Sequence, residues 1–98
     1  MDAPRLPELL IGRVVAADDL VGGRGPSYRL TIDLGSRGVS ESSVQIGANY
    51  LDREGLVGRQ VVCVLADEEL VVLFAQSHAK GVVLIRPDEE VEDGTIVA

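Results

Sequence analysis

Polar side chains suited to holding a ligand are concentrated in one stretch of the sequence, residues 24–45. They are the arginines Arg24, Arg29 and Arg37, the neutral residues Ser42, Ser43 and Gln45, and the aromatic Tyr28. Guanidinium groups bind phosphates and carboxylates, hydroxyl and amide groups donate and accept hydrogen bonds, and aromatic rings stack on unpaired bases. This combination predicts a surface that binds an extended ligand without reacting with it.

Residues that could catalyse a reaction are sparse. His78 is the only histidine, and its neighbour Ser77 lacks the Gly-x-Ser-x-Gly context of a nucleophile elbow. The acidic groups at 67–69 and 88–93 do not have the spacing of a calcium-binding loop, and we interpret them as solvated surface charge. We therefore predict no catalytic residue, no metal site and no cofactor.

The single cysteine and the shortness of the apolar runs indicate where the protein works. Cys63 has no partner for an internal disulfide, which fits a reducing compartment, and its apolar neighbours are typical of a buried side chain. No apolar run is long enough to cross a bilayer. The first residues lack the basic start and apolar core of a secretory signal. The sequence predicts a cytoplasmic protein without membrane insertion.

Charge is distributed unevenly along the chain, whose formal net charge is −7 over 98 residues. Residues 1–45 hold five arginines and six acids, whereas residues 46–98 hold four basic and ten acidic side chains. The strongly basic surface that usually marks a nucleic-acid-binding protein is therefore not expected overall. A polyanion would have to be held locally, by the arginines of the first half.

Hydrophobic periodicity places the polar stretch on a β-hairpin. Polar and apolar residues alternate over residues 27–34, as in a strand with one buried face. Tyr28 shares the apolar parity, which favours a core position with its hydroxyl at the rim. Gly35–Gly38 predicts a turn, and a second strand follows. Because the neighbours Ser42 and Ser43 cannot both face a dry core, we expect an irregularity there.

The remaining pattern predicts a small β-barrel. Further strands are predicted at residues 9–17, 59–66, 70–75 and 81–86, with a short helix between residues 47 and 58. Gly12 indicates a bulge or a close backbone approach. We count five main strands, one short helix between the third and fourth, and additional terminal strands. This is the order of an OB-fold, and the pattern alone leaves other small barrels and sandwiches open. Residues 1–8 are predicted to be a flexible lead-in, and residues 9–98 a single domain.

Motifs spread along the chain resemble a known family. The matching residues are Pro26, Tyr28, Leu30, Ile32, Asp33 and Gly35; Ser42, Ser43, Gln45 and Ile46; Leu56, Gly58, Arg59, Gln60 and Val61; and residues 82–88 with Val91 and Gly94. On these residues the chain resembles the tRNA-binding-domain family of OB-folds, and within it the free-standing CsaA branch of export-related chaperones. The resemblance extends over nearly the whole chain from about Leu9.

This resemblance implies a fold, partners and contact residues. The implied fold is an all-β, five-stranded OB-fold Greek-key barrel with one short helix between strands 3 and 4, and with terminal extensions that form a homodimer. The implied partners are tRNA and, for this branch, unfolded or preprotein peptides. The contacts carried over by position are Arg24, Arg29, Ser42, Ser43 and Gln45. Tyr28 and Arg37 complete the predicted RNA- or peptide-binding site.

Two departures from the family pattern change the charge near this site. Asp67-Glu68-Glu69 replaces a long basic loop, and Glu41 stands where the family has a basic residue before the serine pair. An acid near the path of a polyanion repels phosphate, and each lost cation removes one released counterion. The leading prediction is a non-catalytic tRNA-binding protein with weakened affinity. The alternatives are an export-related chaperone for unfolded or basic clients, and a dimeric structural remnant without a ligand.

Overall fold

Strands dominate the structure, a computed structural model that describes residues 7–20, 27–45, 50, 52–67 and 69–98. Its elements include β1 (Glu8–Asp19), β2 (Ser27–Asp33), a 3₁₀ turn (Gly35–Arg37), β3 (Val39–Gln45), a 3₁₀ turn (Arg53–Leu56), β4 (Gln60–Ala66), β5 (Glu69–Val72), β6 (Phe74–Ser77) and β7 (Gly81–Leu84). Within the described residues, no helix is long and apolar enough to cross a membrane.

The strand β1 is the middle strand of the barrel sheet, with two strands on each side of it. The five-stranded antiparallel sheet has the order β3-β2-β1-β4-β5. The two end strands, β3 and β5, lie beside each other, so the sheet curls into a nearly closed barrel. β6 and β7 form a two-stranded sheet of their own. The all-β, five-stranded OB-fold predicted from the sequence is confirmed.

The strand β1 pairs with both β4 and β2, and it contains a bulge within the part that pairs with β2. Residues 8–13 pair with β4, and residues 13–19 pair with β2 after a shift in register between Val14 and Ala16. The extra residue increases the local twist of the strand. The close approach predicted at Gly12 is confirmed, since an added Cβ would collide with the side chain of Ile32. The bulge itself lies beyond Gly12.

The interior of the barrel is almost entirely aliphatic. Its buried cluster consists of Leu10, Val14, Tyr28, Leu30, Ile32, Leu34, Val44, Leu56, Val61, Cys63, Leu70 and Val72. Tyr28 is 5% exposed, and its hydroxyl donates a hydrogen bond to the carbonyl oxygen of Tyr50 at 2.6 Å. The predicted core position of Tyr28 is confirmed. Burial raises the pKa of the Cys63 thiol to about 12, so this side chain is an inert part of the core.

Four sequence-based expectations differ from the structure. The helix predicted between the third and fourth strands is a four-residue 3₁₀ turn, Arg53–Leu56. The strand predicted at 70–75 is divided at Leu73, because its first half pairs with β4 and its second half with β7. The strand predicted at 81–86 ends at Leu84. The irregularity expected at Ser42 and Ser43 is absent, and β3 alternates regularly.

The C-terminal segment, residues 91–97, lies along the edge of β1 that β2 leaves free. The amide of Ile11 donates to Thr95 O at 2.8 Å, and the amide of Gly94 donates to Ile11 O at 2.6 Å. Further along, the amide of Val97 donates to Leu9 O at 2.8 Å. The segment therefore extends the barrel sheet beside the first half of β1.

Candidate functional site

The outward side chains of β1, β2 and β3 form a surface that we call the outer face. Arg29 lies at its centre, directly opposite Ser43 on β3 and Asp18 on β1. Directly opposed residues of antiparallel strands project from the same side of the sheet. The side chain of Arg29 thus projects from the same side of the sheet as one hydroxyl and one carboxylate. In the neighbouring row, Thr31 is opposite Glu41.

The predicted site residues divide between the two sides of the β2–β3 hairpin. Arg29, Ser43 and Gln45 are exposed on the outer face, where Gln45 is opposite Ser27. Tyr28 and Ser42 face the interior, and Ser42 is 6% exposed. The structure therefore brings Arg29, Ser43 and Gln45 onto one surface and separates Tyr28 and Ser42 from it.

The two remaining predicted cations do not add to this surface within the described chain. Arg37 lies in the turn that connects β2 and β3, where its guanidinium binds both carboxylate oxygens of Glu8 at 2.5 and 2.6 Å. The hydrogen bonding of Arg37 to the Glu8 carboxylate raises the pKa of Arg37 above its ordinary value. Arg24 lies outside the described residues.

A depression of about 380 Å³ separates the end strands β3 and β5, and we call it the β3–β5 opening. Its lining residues are Glu41, Ser42, Ser43, Glu69, Leu70 and Val71. Among the described residues no backbone hydrogen bond joins the two strands. The opening combines two carboxylates, two hydroxyls and two apolar side chains with unpaired strand edges.

Acidic side chains therefore surround the retained arginine of the outer face. Asp18 is directly opposite Arg29, and Glu41 lies one row further along the sheet. Glu69 begins β5, directly after the acidic residues Asp67 and Glu68 in the sequence, and it lines the same opening as Ser43. Each carboxylate lowers the local potential at Arg29, which weakens attraction for phosphate and strengthens attraction for cations.

A hydrogen-bonded cluster that we call the terminal clamp holds the C-terminal segment on the barrel. The Gln60 side chain, 7% exposed, donates to Val91 O at 2.6 Å and to Asp93 Oδ1 at 3.0 Å, and accepts from Val91 N at 3.1 Å. Arg13 bonds Asp93 at 3.1 Å and Glu90 at 2.5 Å. These hydrogen bonds raise the pKa of Arg13. Neither Arg13 nor Gln60 was predicted from the sequence to hold this segment.

Neither the histidine nor the cysteine takes part in a reactive arrangement. His78 is exposed in the turn between β6 and β7, and the Cys63 thiol is buried. In the part of the chain that the structure describes, no group of three His, Cys, Asp or Glu residues could hold a metal ion. The chemistry available at the outer face and the β3–β5 opening is hydrogen bonding and charge pairing.

Known structures of the same architecture identify the family. No family model matches the chain. The crystal structure of chaperone CsaA from Bacillus anthracis str. Ames is 34% identical, covers 94% of this chain and 91% of that chain, and superimposes with a TM-score of 0.82. The chain belongs to the CsaA chaperone family. The CsaA chaperone protein of Picrophilus torridus matches with 27% identity, 94% and 92% coverage and a TM-score of 0.80.

A third structure shares the CsaA fold at lower identity. The MetRS-related protein of Pyrococcus horikoshii is 20% identical, covers 94% of this chain and 90% of that chain, and has a TM-score of 0.70. At this identity the match reports the fold alone. The chain thus spans nearly the full length of the CsaA proteins and of this more distant neighbour.

Several motif residues on which the CsaA resemblance rests have a structural role in this chain. Gln60 and Val91 form the terminal clamp. Gly35 and Gly94 have φ values of +63° and +90°, and a Cβ on either would collide with the backbone of the segment that carries the other. The sequence signal in this part of the motif therefore comes from docking of the C-terminal segment.

Proposed function

We propose that this protein is a non-catalytic, cytoplasmic chaperone-type binding protein that holds extended basic segments of unfolded polypeptides. Membership of the CsaA family supports a binding function, since the solved relatives are named as chaperones. The observation that carries the choice of ligand is the pair of carboxylates, Glu41 and Glu69, at the β3–β5 opening. This surface favours a cationic client over a polyanion.

The backbone of β3 suits an extended peptide. β3 is an end strand of the barrel sheet, so the polar backbone groups on its free edge are available to a ligand. Peptides commonly bind such edges through main-chain hydrogen bonds, which do not depend on sequence. A chaperone that accepts many clients needs this kind of recognition.

The side chains around the opening supply the preference for an amphipathic, basic peptide. Val71 on β5 and Val39 at the start of β3 are exposed apolar residues, and Leu70 forms part of the wall of the opening. Glu41 and Glu69 are also exposed. A segment in which lysines alternate with valines would place its charges on the carboxylates and its apolar side chains on the valines.

The direct test is the binding of two labelled peptides of equal length, one alternating lysine with valine and one alternating glutamate with valine. We expect fluorescence anisotropy to detect the lysine peptide alone, with affinity that falls as salt is raised. Glu41→Gln and Glu69→Gln should each weaken binding about twofold to fivefold, the range for one exposed charge pair.

The matched control is Glu89→Gln, which removes an exposed acid that does not line the opening. This variant should bind like the unmodified protein. Equal binding of the two peptides, or equal weakening by all three substitutions, would contradict the proposed recognition. So would an absence of binding to the lysine peptide at low salt.

Transfer RNA is the second candidate ligand, and two neighbouring rows of the outer face favour it, one with Arg29 and Ser43 and the next with Thr31. These side chains can contact phosphate and ribose oxygens, as on other OB-folds that use this face. The flanking Asp18 and Glu41 predict weak binding that disappears as salt rises. An anisotropy titration with tRNA at low and moderate salt, repeated with Arg29→Ala, tests this candidate. An unchanged affinity in the variant would exclude the outer face as the RNA site.

A homodimer is part of the proposal. Ile96, in the C-terminal segment, is 60% exposed, and Leu9 on the adjacent β1 is also exposed. Burying large apolar side chains of this kind against a second copy would stabilise a dimer. Light scattering after size-exclusion chromatography should give twice the chain mass of 10.4 kDa. A concentration-independent mass of one chain would refute the dimer.

A further inference from the structure

Arg59 and Arg86 line the same cavity. They were not predicted from the sequence to form a pair. A cavity of about 290 Å³ lies between β4 and the end of β7, and its wall includes Tyr50, Arg59 and Arg86. It adjoins a more open cavity of about 400 Å³, which shares both arginines. These cavities do not include any residue of the β3–β5 opening.

Three of the six arginines that the structure describes are already neutralised by carboxylates. Arg13 binds Asp93 and Glu90, Arg37 binds Glu8, and Arg53 lies 3.6 Å from Asp19. In contrast, Arg59 and Arg86 have no carboxylate partner among the described residues. This is notable in a chain with 16 acidic and only nine basic side chains. Two like charges that share one cavity are stabilised by an anion between them.

The geometry of Arg59 leaves its outer nitrogens available. Its Nε donates to the carbonyl oxygen of Gly55 at 2.9 Å, which fixes the direction of the side chain. The two terminal amino groups remain to donate to a ligand, in the planar arrangement that matches the oxygens of a phosphate. Arg86 donates no hydrogen bond to a described residue, so all of its N–H groups can donate to a ligand.

Other polar groups in the wall are already occupied. The amide of Gln60 is bonded at both ends within the terminal clamp. The hydroxyl of Tyr50 accepts a hydrogen bond from the amide of Leu84 at 2.9 Å. The amide of Val62 donates to Ile85 O at 3.1 Å and ties β4 to the chain after β7. The wall is therefore held in place, and the arginines provide the donors for a ligand.

The rest of the inner cavity is apolar and of limited size. Val61, Val83 and Leu84 line it together with the half-buried Tyr50. Its volume is close to the lower end of the range for small-molecule sites. Carboxylates occur only toward the outer cavity, where Glu90 is bound by Arg13 and Asp88 lies at the rim. This arrangement disfavours a long polyanion and suits a single phosphate group on a small apolar or flat body.

We propose that Arg59 and Arg86 form a binding site for a small phosphate monoester, with the phosphate between the guanidinium groups and the body of the ligand against Val83, Leu84 and Tyr50. The phosphate could belong to a free nucleotide or to the 5′ end of an RNA, and the chemistry at the arginines is the same. The site is separate from the polypeptide-binding opening proposed above. Its failure would leave that proposal unaffected.

The experiment is a titration of the ¹⁵N-labelled protein, followed by two-dimensional NMR, with inorganic phosphate, adenosine 5′-monophosphate or adenosine. We expect the monophosphate to shift amide signals of residues 59–61 and 82–86, with higher affinity than inorganic phosphate, and adenosine to shift none. Arg59→Gln and Arg86→Gln should each weaken the monophosphate at least tenfold. Arg53→Gln is the matched control, because it removes an arginine that lines neither cavity.

Three results would overturn the site. One is the absence of shifts at millimolar monophosphate, and another is equal weakening by Arg53→Gln, which would indicate diffuse charge attraction. The third is a result with RNA. If a 5′-phosphorylated oligonucleotide shifts these signals and the monophosphate does not, the cavity binds nucleic acid and not a small monoester. Thermal unfolding of each variant shows whether a lost interaction reflects a lost fold, and both arginines are exposed. An unfolded Arg59→Gln variant leaves the test to Arg86→Gln.

Discussion

Replacing Gln60 with leucine should release the C-terminal segment and destabilise the whole barrel. The substitution removes three hydrogen bonds of 2.6, 3.0 and 3.1 Å to Val91 and Asp93. Two of them are neutral bonds worth about 1 kcal/mol each, and the bond to a carboxylate is worth about 1.5–3 kcal/mol. Leucine recovers part of this through apolar burial. We therefore expect a net loss of about 2–4 kcal/mol.

That loss is large for a domain of this size. A chain of this length has an unfolding free energy of about 5–15 kcal/mol, and each kcal/mol corresponds to about 4–8 °C in melting temperature. The assay is equilibrium unfolding in urea, in which the midpoint should fall while the slope stays constant. Native-state hydrogen exchange should also become faster at the amides of Ile11 and Gly94, which bond across the junction.

The control for this prediction is Gln76→Leu, the same exchange at an exposed position on β6. It should change the unfolding free energy by less than about 0.5 kcal/mol, as is usual for a surface site. If Gln60→Leu is no more destabilising than Gln76→Leu, the terminal clamp does not contribute to stability. If the amides of Ile11 and Gly94 keep their protection, the segment is not held by Gln60.

Three further predictions concern the core and the turns. Gly94→Ala should destabilise the fold by more than about 3 kcal/mol, because strain at positive φ adds to a backbone collision. The control is Gly38→Ala, at φ +86° with open space around it, which should destabilise the fold by only about 1–2 kcal/mol. Equal losses of stability in the two variants would refute the collision. Tyr28→Phe should cost about 1–2 kcal/mol through the lost bond to Tyr50 O, and an unchanged urea midpoint would contradict this. Burial raises the pKa of Cys63 from 9.0 to about 12, so the native state binds the thiol proton more tightly than the unfolded state does. The free energy of unfolding should therefore fall as pH rises from about 9 towards 12. Cys63→Ala should show a smaller fall over the same pH range.

Local patterns in the sequence predicted the parts of the fold that depend on neighbouring residues. Alternation over 27–34 predicted the buried face of β2 and the core position of Tyr28, and Gly12 predicted a close approach. The apolar run 70–75 contains no breaker, so its division at Leu73 could not be read from it. Each half is determined by the strand with which it pairs, β4 or β7.

The candidate site was predictable in composition but not in arrangement. Ser42 and Ser43 were expected to interrupt the alternation, yet a serine is small enough for Ser42 to take an inward position at the edge of β3. The terminal clamp was not predictable from spacing, since Arg13 and Asp93 are 80 residues apart. Likewise, nothing in the local sequence distinguishes Arg59 and Arg86 from the arginines that bind carboxylates.

The position of β1 has a consequence for the order of folding. This strand comes early in the chain, yet its first half pairs with β4 and with the C-terminal segment, so its contacts span most of the sequence. Such non-local pairing slows folding, and barrels of this kind typically fold in milliseconds to seconds. During synthesis, Leu9, Leu10 and Ile11 are made well before β4 and the C-terminal segment, with which they pair. Until then a protein of a chaperone family carries an unpaired apolar strand of its own, and it passes through the vulnerable state in which chaperones find their clients.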